Sequence, residues 1–259
     1  DGPYAPRPGY DFIIQGMSGL MSITGEAAGE PQKVGVAVTD IFTGLYSVIA
    51  IQAALRHAER TGDGQHIDMS LFDTQVAVLA NQNLNYLVSG RAPHRMGNAH
   101  PNIAPYEVFP VADGHIILAV GNDGQFRSLC RVLELTDTAE NADLATNSGR
   151  VANRARLRDS LVAALARWQR KPLLEALAAA NVPAGPINDI ADMFADPQIL
   201  ARRMQIDLHD QSGNAIPSVR SPIVMSRTPL RYHRPSPRLG EHTGEIMAEL
   251  EGLTDEDRR

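Results

Sequence analysis

The order of apolar and polar positions divides the first third of the chain into alternating helices and strands. A short apolar run at 34–38 ends at Thr39 and Asp40, and a long apolar segment from Ile41 to Leu55 follows. Apolar residues recur in this segment at a helical period, and its other faces are nearly as apolar, so we expect a buried helix. Residues 10–22 predict another helix, residues 65–71 alternate as a strand, and helical spacing continues from Phe72 to Gly90.

This order of helix, strand, helix, strand and helix is typical of part of a parallel α/β sheet. Residues 91–104 show no periodic pattern and indicate a linker or a functional loop. Two hairpins are expected beyond it, at 106–109 with 115–120 and at 205–209 with 215–219. Helices are expected at 125–135, 154–168, 173–180 and 196–204. In the last of these, Asp196 is the expected cap and Pro197 the first helical residue.

We therefore predict an α/β protein with two domains. The predicted parts are the remainder of a large Rossmann-like domain (1–90), a linker or active-site loop (91–104), a small α+β domain (105–222), and a C-terminal segment that returns to the large domain (223–259). The first residue is Asp1, followed by a turn-like Gly-Pro. We interpret this as a chain whose true beginning lies upstream, either cleaved, disordered or left out of the sequence.

Composition narrows the class of protein. Hydrophobic residues make up 43% and charged residues 21%, which is typical of a globular protein. A formal charge of −6 and the lack of a basic stripe argue against nucleic-acid binding. One cysteine, Cys130, cannot form a disulfide framework, so a cytoplasmic protein is expected. No apolar run is expected to reach the length of a membrane span, and the histidines lack metal-ligand spacing, so no membrane and no metal are expected.

Asp40 is the principal candidate for chemistry, because it lies where a predicted strand passes into a helix. Two interpretations are open from spacing alone. Asp40 caps the helix, or its carboxylate is kept ionised by the helix dipole and positioned as a nucleophile.

Four segments together resemble the family III CoA-transferases, which include formyl-CoA transferase, the carnitine CoA-transferases and the α-methylacyl-CoA racemases. They are GPY at 2–4 with RPGYD at 7–11, QGMSGLMSITG at 15–25, VAVTDIFTG at 36–44 and GDGQHIDMSLFD at 62–73. Later stretches agree, namely RMGN at 95–98, IAPY at 103–106, PAGPIN at 183–188 and LGEHT at 239–243. Their order and spacing span nearly the whole chain.

The resemblance implies that Asp40 attacks an acyl-CoA to give an aspartyl–acyl anhydride and then an aspartyl-CoA thioester. It implies coenzyme A and acyl-CoA as substrates, carboxylic acids as partners, and succinate as a possible donor acid. It also implies an interlocked homodimer, in which each chain threads through the other. The family's upstream half-sheet, which supplies much of the CoA contact, has no counterpart in these residues.

Tyr10 separates two branches of the family. In the racemase branch, the residue at this position resembles a histidine base. A tyrosine, as here, resembles the transferase branch, where this residue lines the acyl pocket. A phenol is a poor base at neutral pH, so we interpret Tyr10 as a pocket residue. From the residues alone it would be a core or rim aromatic side chain.

Four further residues are lesser candidates for substrate or CoA contact, namely Arg7, Leu71, Asn98 and His100. Without the resemblance, Leu71 is simply a strand core residue and His100 an exposed loop histidine. Residues 98–102 occupy the place of a glycine-rich flap in several transferases, but contain no glycine run. The favoured function is a CoA-transferase, and the alternatives are an acyl-CoA epimerase and a non-catalytic acyl-CoA-binding protein.

Overall fold

The computed structural model describes residues 2–210 and 212–252. The chain divides into two compact units, Asp1–Pro186 and Ile187–Arg259. The last part of the predicted C-terminal segment, residues 253–259, lies outside the described residues. The predicted domain boundaries at 90, 104 and 222 stay a prediction.

Five helices occupy the beginning of the first unit. They are α1 (Asp11–Met17), α2 (Leu20–Ile23), α3 (Val38–Thr61), α4 (Leu71–Ala77) and α5 (Asn81–Ser89). Helix α3 ends at Gly62, which adopts the left-handed conformation that ends many helices and donates its N–H to the carbonyl of Ala58. Helices α1 and α4 both pack against α3.

The prediction of two strands in this part of the chain, at 34–38 and 65–71, was wrong. Residues 35–36 form a bend, and residues 63–70 run into the cap of α4 without pairing. A strand needs a neighbour to bond its backbone groups, and within residues 2–210 and 212–252 neither segment has one. No parallel strand pair is present in that described part, so a Rossmann-like sheet stays a prediction.

Helix α3 forms as predicted, but the prediction that it is buried was wrong. Its large apolar side chains are exposed, with Leu45 at 56% and Ile49 at 65%, because the described residues supply only α1 and α4 to cover it. By length and composition, Val38–Thr61 could also cross a membrane, and 11% of the apolar 18-residue stretch in this helix is buried. The expectation that no apolar run reaches that length was therefore wrong, although a single such helix is weak evidence for a membrane protein.

The apolar core lies between residues 104 and 182. Strands β1 (Tyr106–Val111), β2 (Gly114–Ala119) and β3 (Ala184–Pro186) form an antiparallel sheet in that order. The first two strands are the predicted hairpin, with Val111 opposite Gly114. Helices α6 (Asp123–Val132), α7 (Thr136–Glu140), α8 (Asn147–Ala152), α9 (Arg154–Leu165) and α10 (Arg170–Ala179) follow, with one 3-10 turn at Ala142–Leu144.

The inward side chains of the sheet pack on α6, α9 and α10. The fully enclosed apolar residues include Phe109, Ile116, Leu118, Phe126, Leu129, Leu157, Leu161, Leu165, Leu173 and Leu177. Cys130 is packed among them, and burial raises the pKa of its thiol to about 11. A thiol in that environment remains protonated and is a poor nucleophile.

One charged side chain, Arg150, is completely enclosed in this region. Its Nε donates to the carbonyl of Ala104 at 2.8 Å, Nη1 to the carbonyl of Leu144 at 3.0 Å, and Nη2 to Asp123 Oδ1 at 2.8 Å. The guanidinium also lies 4.5 Å from the ring centre of Phe126. A buried charge needs such partners, and here they fix the end of the 91–104 loop to the core.

The second unit contains short elements around one hairpin. They are α11 (Ile190–Ala195), α12 (Pro197–Ala201), β4 (Gln205–His209), β5 (Ala215–Val219) and α13 (Thr243–Glu251). The hairpin has the predicted bounds. Asp196 caps α12 by accepting from the Gln198 N–H, and Pro197 is the first residue, as predicted.

Candidate active site

Asp40 lies in the first turn of α3 and its side chain is exposed. The cap position belongs to Ala37, two residues before Thr39, so the interpretation of Asp40 as the N-terminal cap was wrong. Within residues 2–210 and 212–252, no group hydrogen-bonds the Asp40 carboxylate. The helix dipole favours a negative charge at this end. The carboxylate is therefore open to a ligand.

A cluster of polar side chains lies directly behind this turn, and we call Asp11, Gln15, Thr39 and Gln75 the polar centre. Asp11 Oδ1 accepts from the Thr39 N–H at 2.9 Å, and Asp11 Oδ2 accepts from Gln15 Nε2 at 2.7 Å. Thr39 Oγ1 donates to Gln75 Oε1 at 2.7 Å. Gln15 and Thr39 are completely buried and Gln75 is nearly so. These bonds join α1 and α4 to the start of α3.

The bonds leave one backbone donor free at the start of α3. Three amides of this turn are bonded, those of Val38 to Val36, of Thr39 to Asp11 and of Ile41 to Ala37. In the part of the chain that the structure describes, the Asp40 N–H has no acceptor. A free N–H beside a free carboxylate is an arrangement that can stabilise an oxyanion formed close to a nucleophile.

Tyr10 lies at the same corner as Asp40. It is the cap residue of α1 and 70% of its surface is exposed. The Asp11–Thr39 bond joins the residue after Tyr10 to the residue before Asp40, and so brings the two segments together. Arg7 lies on the preceding loop, where its guanidinium stacks 4.1 Å from the ring centre of Tyr4. In the described part of the chain, no hydrogen bond or ion pair joins Arg7 to Asp40.

Leu71 is the first residue of α4, and the prediction of a strand at this position was wrong. Ser70 caps that helix by accepting from the Asp73 N–H at 3.3 Å. Leu71 is half-buried and lies one turn before Gln75, so both side chains are on the same face. This face carries Gln75 into the polar centre.

His100 lies in the 91–104 loop and is held in one orientation. Its Nδ1 accepts from the Asn102 N–H at 3.1 Å, and its ring lies 5.2 Å from that of Tyr106. Burial, followed by the positive charge of Arg154, lowers the pKa of the His100 imidazole. The neutral ring therefore carries its proton on Nε2. Asn98 is exposed on the turn just before it.

The same loop is tied to the segment that leads into α3. Arg95 Nη2 donates to the carbonyl of Gly29 at 2.8 Å, and the Gly97 N–H donates to the carbonyl of Gly25 at 3.1 Å. Gly97 has φ of 60°, and a Cβ there would lie 3.2 Å from a carboxylate oxygen of Glu26. The loop is therefore held close to the segment before the site.

Sequence reasoning missed the polar centre. Asp11 and Gln15 have the spacing of two neighbours on one helix face, which was the only available signal. Their partner Thr39 is 28 residues from Asp11, and no local pattern reveals that contact.

A separate cleft of about 220 Å³ lies in the second unit. It is lined by His209, Asp210, His233, Arg234, Pro235, Glu241, His242 and Glu245. Arg234 binds both carboxylate oxygens of Glu245, at 3.0 and 2.6 Å, which leaves its charge paired. Across residues 2–210 and 212–252, no three His, Cys, Asp or Glu side chains are grouped to hold a metal ion. The expectation of no metal stays a prediction.

The sequence model of CoA-transferase family III matches residues 1–243. The chain belongs to this family. The resemblance found in its motifs is thereby confirmed.

Relatives with named activities are similar to almost the whole chain. Succinate–glutarate CoA-transferase of Agrobacterium fabrum is 61% identical over 252 residues, which cover 97% of this chain and 63% of the relative. Succinyl-CoA:glutarate CoA-transferase of Homo sapiens is 38% identical over 250 residues, 96% of this chain and 57% of that protein. The chain thus spans about three fifths of the length of these relatives.

A solved structure has the same fold. The CAIB/BAIF family protein from Brucella suis is 57% identical and superposes with a TM-score of 0.80, over 96% of this chain and 65% of that chain. The mixed α/β class of the prediction is confirmed, since this family III chain contains both helices and small antiparallel sheets.

Proposed function

We propose that this protein is a CoA-transferase that moves CoA from succinyl-CoA to a second carboxylic acid, with Asp40 as the covalent nucleophile. The observation that carries the proposal is the exposed Asp40 carboxylate beside the Asp40 N–H at a helix start in a family III chain, where no described residue bonds either group. The names of the similar proteins favour succinyl-CoA as donor and a dicarboxylate such as glutarate as acceptor.

The proposed reaction has four steps that balance without any cofactor. An Asp40 oxygen attacks the acyl carbonyl, and the CoA thiolate leaves as the anhydride forms. The thiolate then attacks the aspartyl carbonyl, so Asp40 becomes a CoA thioester and succinate leaves. The acceptor carboxylate attacks this thioester, which releases the thiolate and forms a second anhydride. The thiolate then attacks the acceptor acyl carbonyl of that anhydride, which gives the new acyl-CoA and restores the Asp40 carboxylate.

A carboxylate suits this chemistry because its anhydride can be reopened by a thiolate with little change in free energy. Both intermediates hydrolyse, so water must be kept away from Asp40. We propose that Tyr10 lines the acyl pocket, that Leu71 packs against the CoA chain, and that Arg7, Asn98 and His100 contact the substrate or CoA. The neutral His100 ring suits a hydrogen-bond donor through Nε2.

We propose that the active form is an interlocked homodimer in the cytoplasm. The exposed apolar side chains of α3 support a cover from outside the described residues, because a contiguous apolar surface of this kind is unfavourable in water. An upstream half-sheet and a partner chain would supply that cover and the rest of the CoA site.

The proposal is tested by trapping the intermediate. The purified protein is incubated with succinyl-CoA and hydroxylamine, and the peptide that contains Asp40 is analysed by mass spectrometry. We expect a hydroxamate on Asp40, and exchange of labelled succinate into succinyl-CoA. In Asp40→Ala both should be lost, with exchange lowered on the order of 10³-fold or more.

Asp73→Ala is the matched control, because Asp73 is also exposed and also the third residue of its helix. It should keep wild-type exchange. Exchange that survives in Asp40→Ala would overturn the proposal. Solvent deuterium at the α-carbon of an acyl-CoA, without an acceptor acid, would instead indicate an epimerase. Tight acyl-CoA binding with no turnover would indicate a non-catalytic binding protein.

A further inference from the structure

We infer that Asp11 and Gln15 are positioning residues, which hold the first turn of α3 so that Asp40 can react. The inference rests on the proposed function of Asp40. Neither side chain needs to contact substrate for this role, and both act through the backbone that precedes Asp40.

Asp11 replaces a cap that α3 lacks. The first amides of a helix need acceptors, and they normally find one in the side chain of the cap residue. That residue is Ala37, which has no such side chain. Asp11 supplies the acceptor from another helix, 2.9 Å from the Thr39 N–H. It bonds the residue immediately before Asp40, so its orientation determines where the nucleophile lies.

Gln15 fixes the orientation of Asp11. Its Nε2 donates to Asp11 Oδ2 at 2.7 Å, and its Oε1 accepts from the Val34 N–H at 2.9 Å. The side chain is completely buried, so each lost bond would leave a polar group without water. Gln15 thereby holds the chain six residues before Asp40, while Asp11 holds the residue next to it.

The result is a nucleophile with a fixed backbone and free oxygens. Thr39, whose hydroxyl bonds Gln75, anchors the turn a second time, from α4. The Asp40 carboxylate itself forms no bond with described residues and can approach a carbonyl carbon. A displacement of about 1 Å in such a site can cost about 10²-fold in rate.

The order of donors and acceptors permits an experiment in which the carboxylate of Asp11 and the amide of Gln15 trade places. In Gln15→Glu, two carboxylates face each other across the 2.7 Å contact. In Asp11→Asn, the amide cannot accept from both Thr39 and Gln15. In the double variant D11N/Q15E, the new amide at position 11 would accept from Thr39 and donate to the new carboxylate at position 15. The other oxygen of that carboxylate would accept from Val34. Every bond is restored, with the charge moved from one member of the pair to the other.

The measurements are kcat and KM for succinyl-CoA, the rate of hydroxamate formation on Asp40, and hydrogen exchange of the 34–40 amides. We expect each single variant to lower kcat at least about tenfold, with KM changed less than about threefold. Each should also speed the hydrogen exchange of the 34–40 amides. The double variant should recover kcat to within about threefold and restore slow exchange. The double variant Asp137→Asn with Gln205→Glu makes the same chemical change at exposed positions and should match the wild type.

Single variants that keep wild-type kcat would overturn the inference. A double variant that recovers slow hydrogen exchange at 34–40, but whose kcat stays more than tenfold below that of the wild type, would also overturn it. If a single variant does not fold, the folded double variant alone tests the inference. A kcat within about threefold of the wild type supports it, and a kcat more than about tenfold lower overturns it. Failure of the proposed function is distinguished by the wild type alone, since it would then form no adduct on Asp40, and this outcome also removes the inference.

Discussion

The core segment, residues 104–182, and the N-terminal segment, residues 2–90, bury opposite kinds of side chain. In the core segment the enclosed side chains are apolar, apart from Arg150 and Glu107. In the N-terminal segment four of the five buried residues are polar, and Ile14 is the exception. The large side chains of α3 are exposed there. The core segment is thus held by its own apolar contacts, whereas the N-terminal segment is held around Asp40 by hydrogen bonds.

The largest expected effect comes from truncating one leucine in each segment. Leu161 of α9 is completely enclosed, and Leu45 of α3 is 56% exposed. Leu161→Ala should lower the free energy of unfolding by about 2–5 kcal/mol, because it removes buried contacts and leaves a cavity. In this chain as an uncovered monomer, Leu45→Ala should change it by less than about 1 kcal/mol. Urea unfolding measures both.

The leucine pair also tests whether α3 is covered in solution. Equal losses in the two variants would contradict the contrast drawn from this chain. A loss for Leu45→Ala that grows with protein concentration would show instead that another copy covers α3.

A smaller effect is expected from one glycine in each segment. A Cβ on Gly149 of α8 would overlap the carbonyl oxygen of Asp143, whereas a Cβ on Gly44 of α3 would have nothing within 4 Å. Gly149→Ala should destabilise by about 1–3 kcal/mol through overpacking. Gly44→Ala should stabilise by about 0.5–1 kcal/mol, because alanine favours the helix.

Thermal unfolding of both glycine variants gives the comparison. Destabilisation by Gly44→Ala would mean that another surface packs closely on that face of α3. A neutral Gly149→Ala would mean that α8 can move away from Asp143, and so that the core segment is less tightly packed than described.

The smallest effect concerns the loop between the two segments. The pKa of His100 is lower in the folded protein than its ordinary value of 6.5. Between those two values the unfolded chain binds more protons, so His100 contributes less to stability as the pH falls. His100→Asn keeps an acceptor for the Asn102 N–H and removes the titration. The difference in unfolding free energy between wild type and variant should therefore shrink between about pH 7 and pH 5.

The unfolding experiment, repeated across this pH range, checks the sign. A difference that stays constant, or that grows in favour of the wild type as the pH falls, would contradict the assigned environment of His100.

The sequence predicted best where structure is local. Both hairpins follow from alternation around a turn, and α12 begins at Asp196 and Pro197 because a capping side chain and a proline act within one turn. The start of α3 was predicted at Ile41 and lies at Val38, because Ala37 at the cap position has no capping side chain to mark it.

Predictions failed where they depended on a distant partner. The apolar side chains of α3 indicate that it can be buried, but they do not identify what covers it, and residues 2–210 and 212–252 do not. The run at 65–71 alternates as a strand but has no pairing neighbour in the part of the chain that the structure describes. The contact of Asp11 with Thr39 depends on how two helices meet, and no local pattern determines that.

Arg150 has a consequence for how acid can act on this protein. Its guanidinium bonds the carbonyl of Ala104 directly, so this anchor does not depend on a histidine. His100 precedes this anchor by only four residues and does titrate. Acidification can therefore remove the acceptor of the Asn102 N–H, while the carbonyls of Ala104 and His100 stay bonded to Arg150 and Arg154.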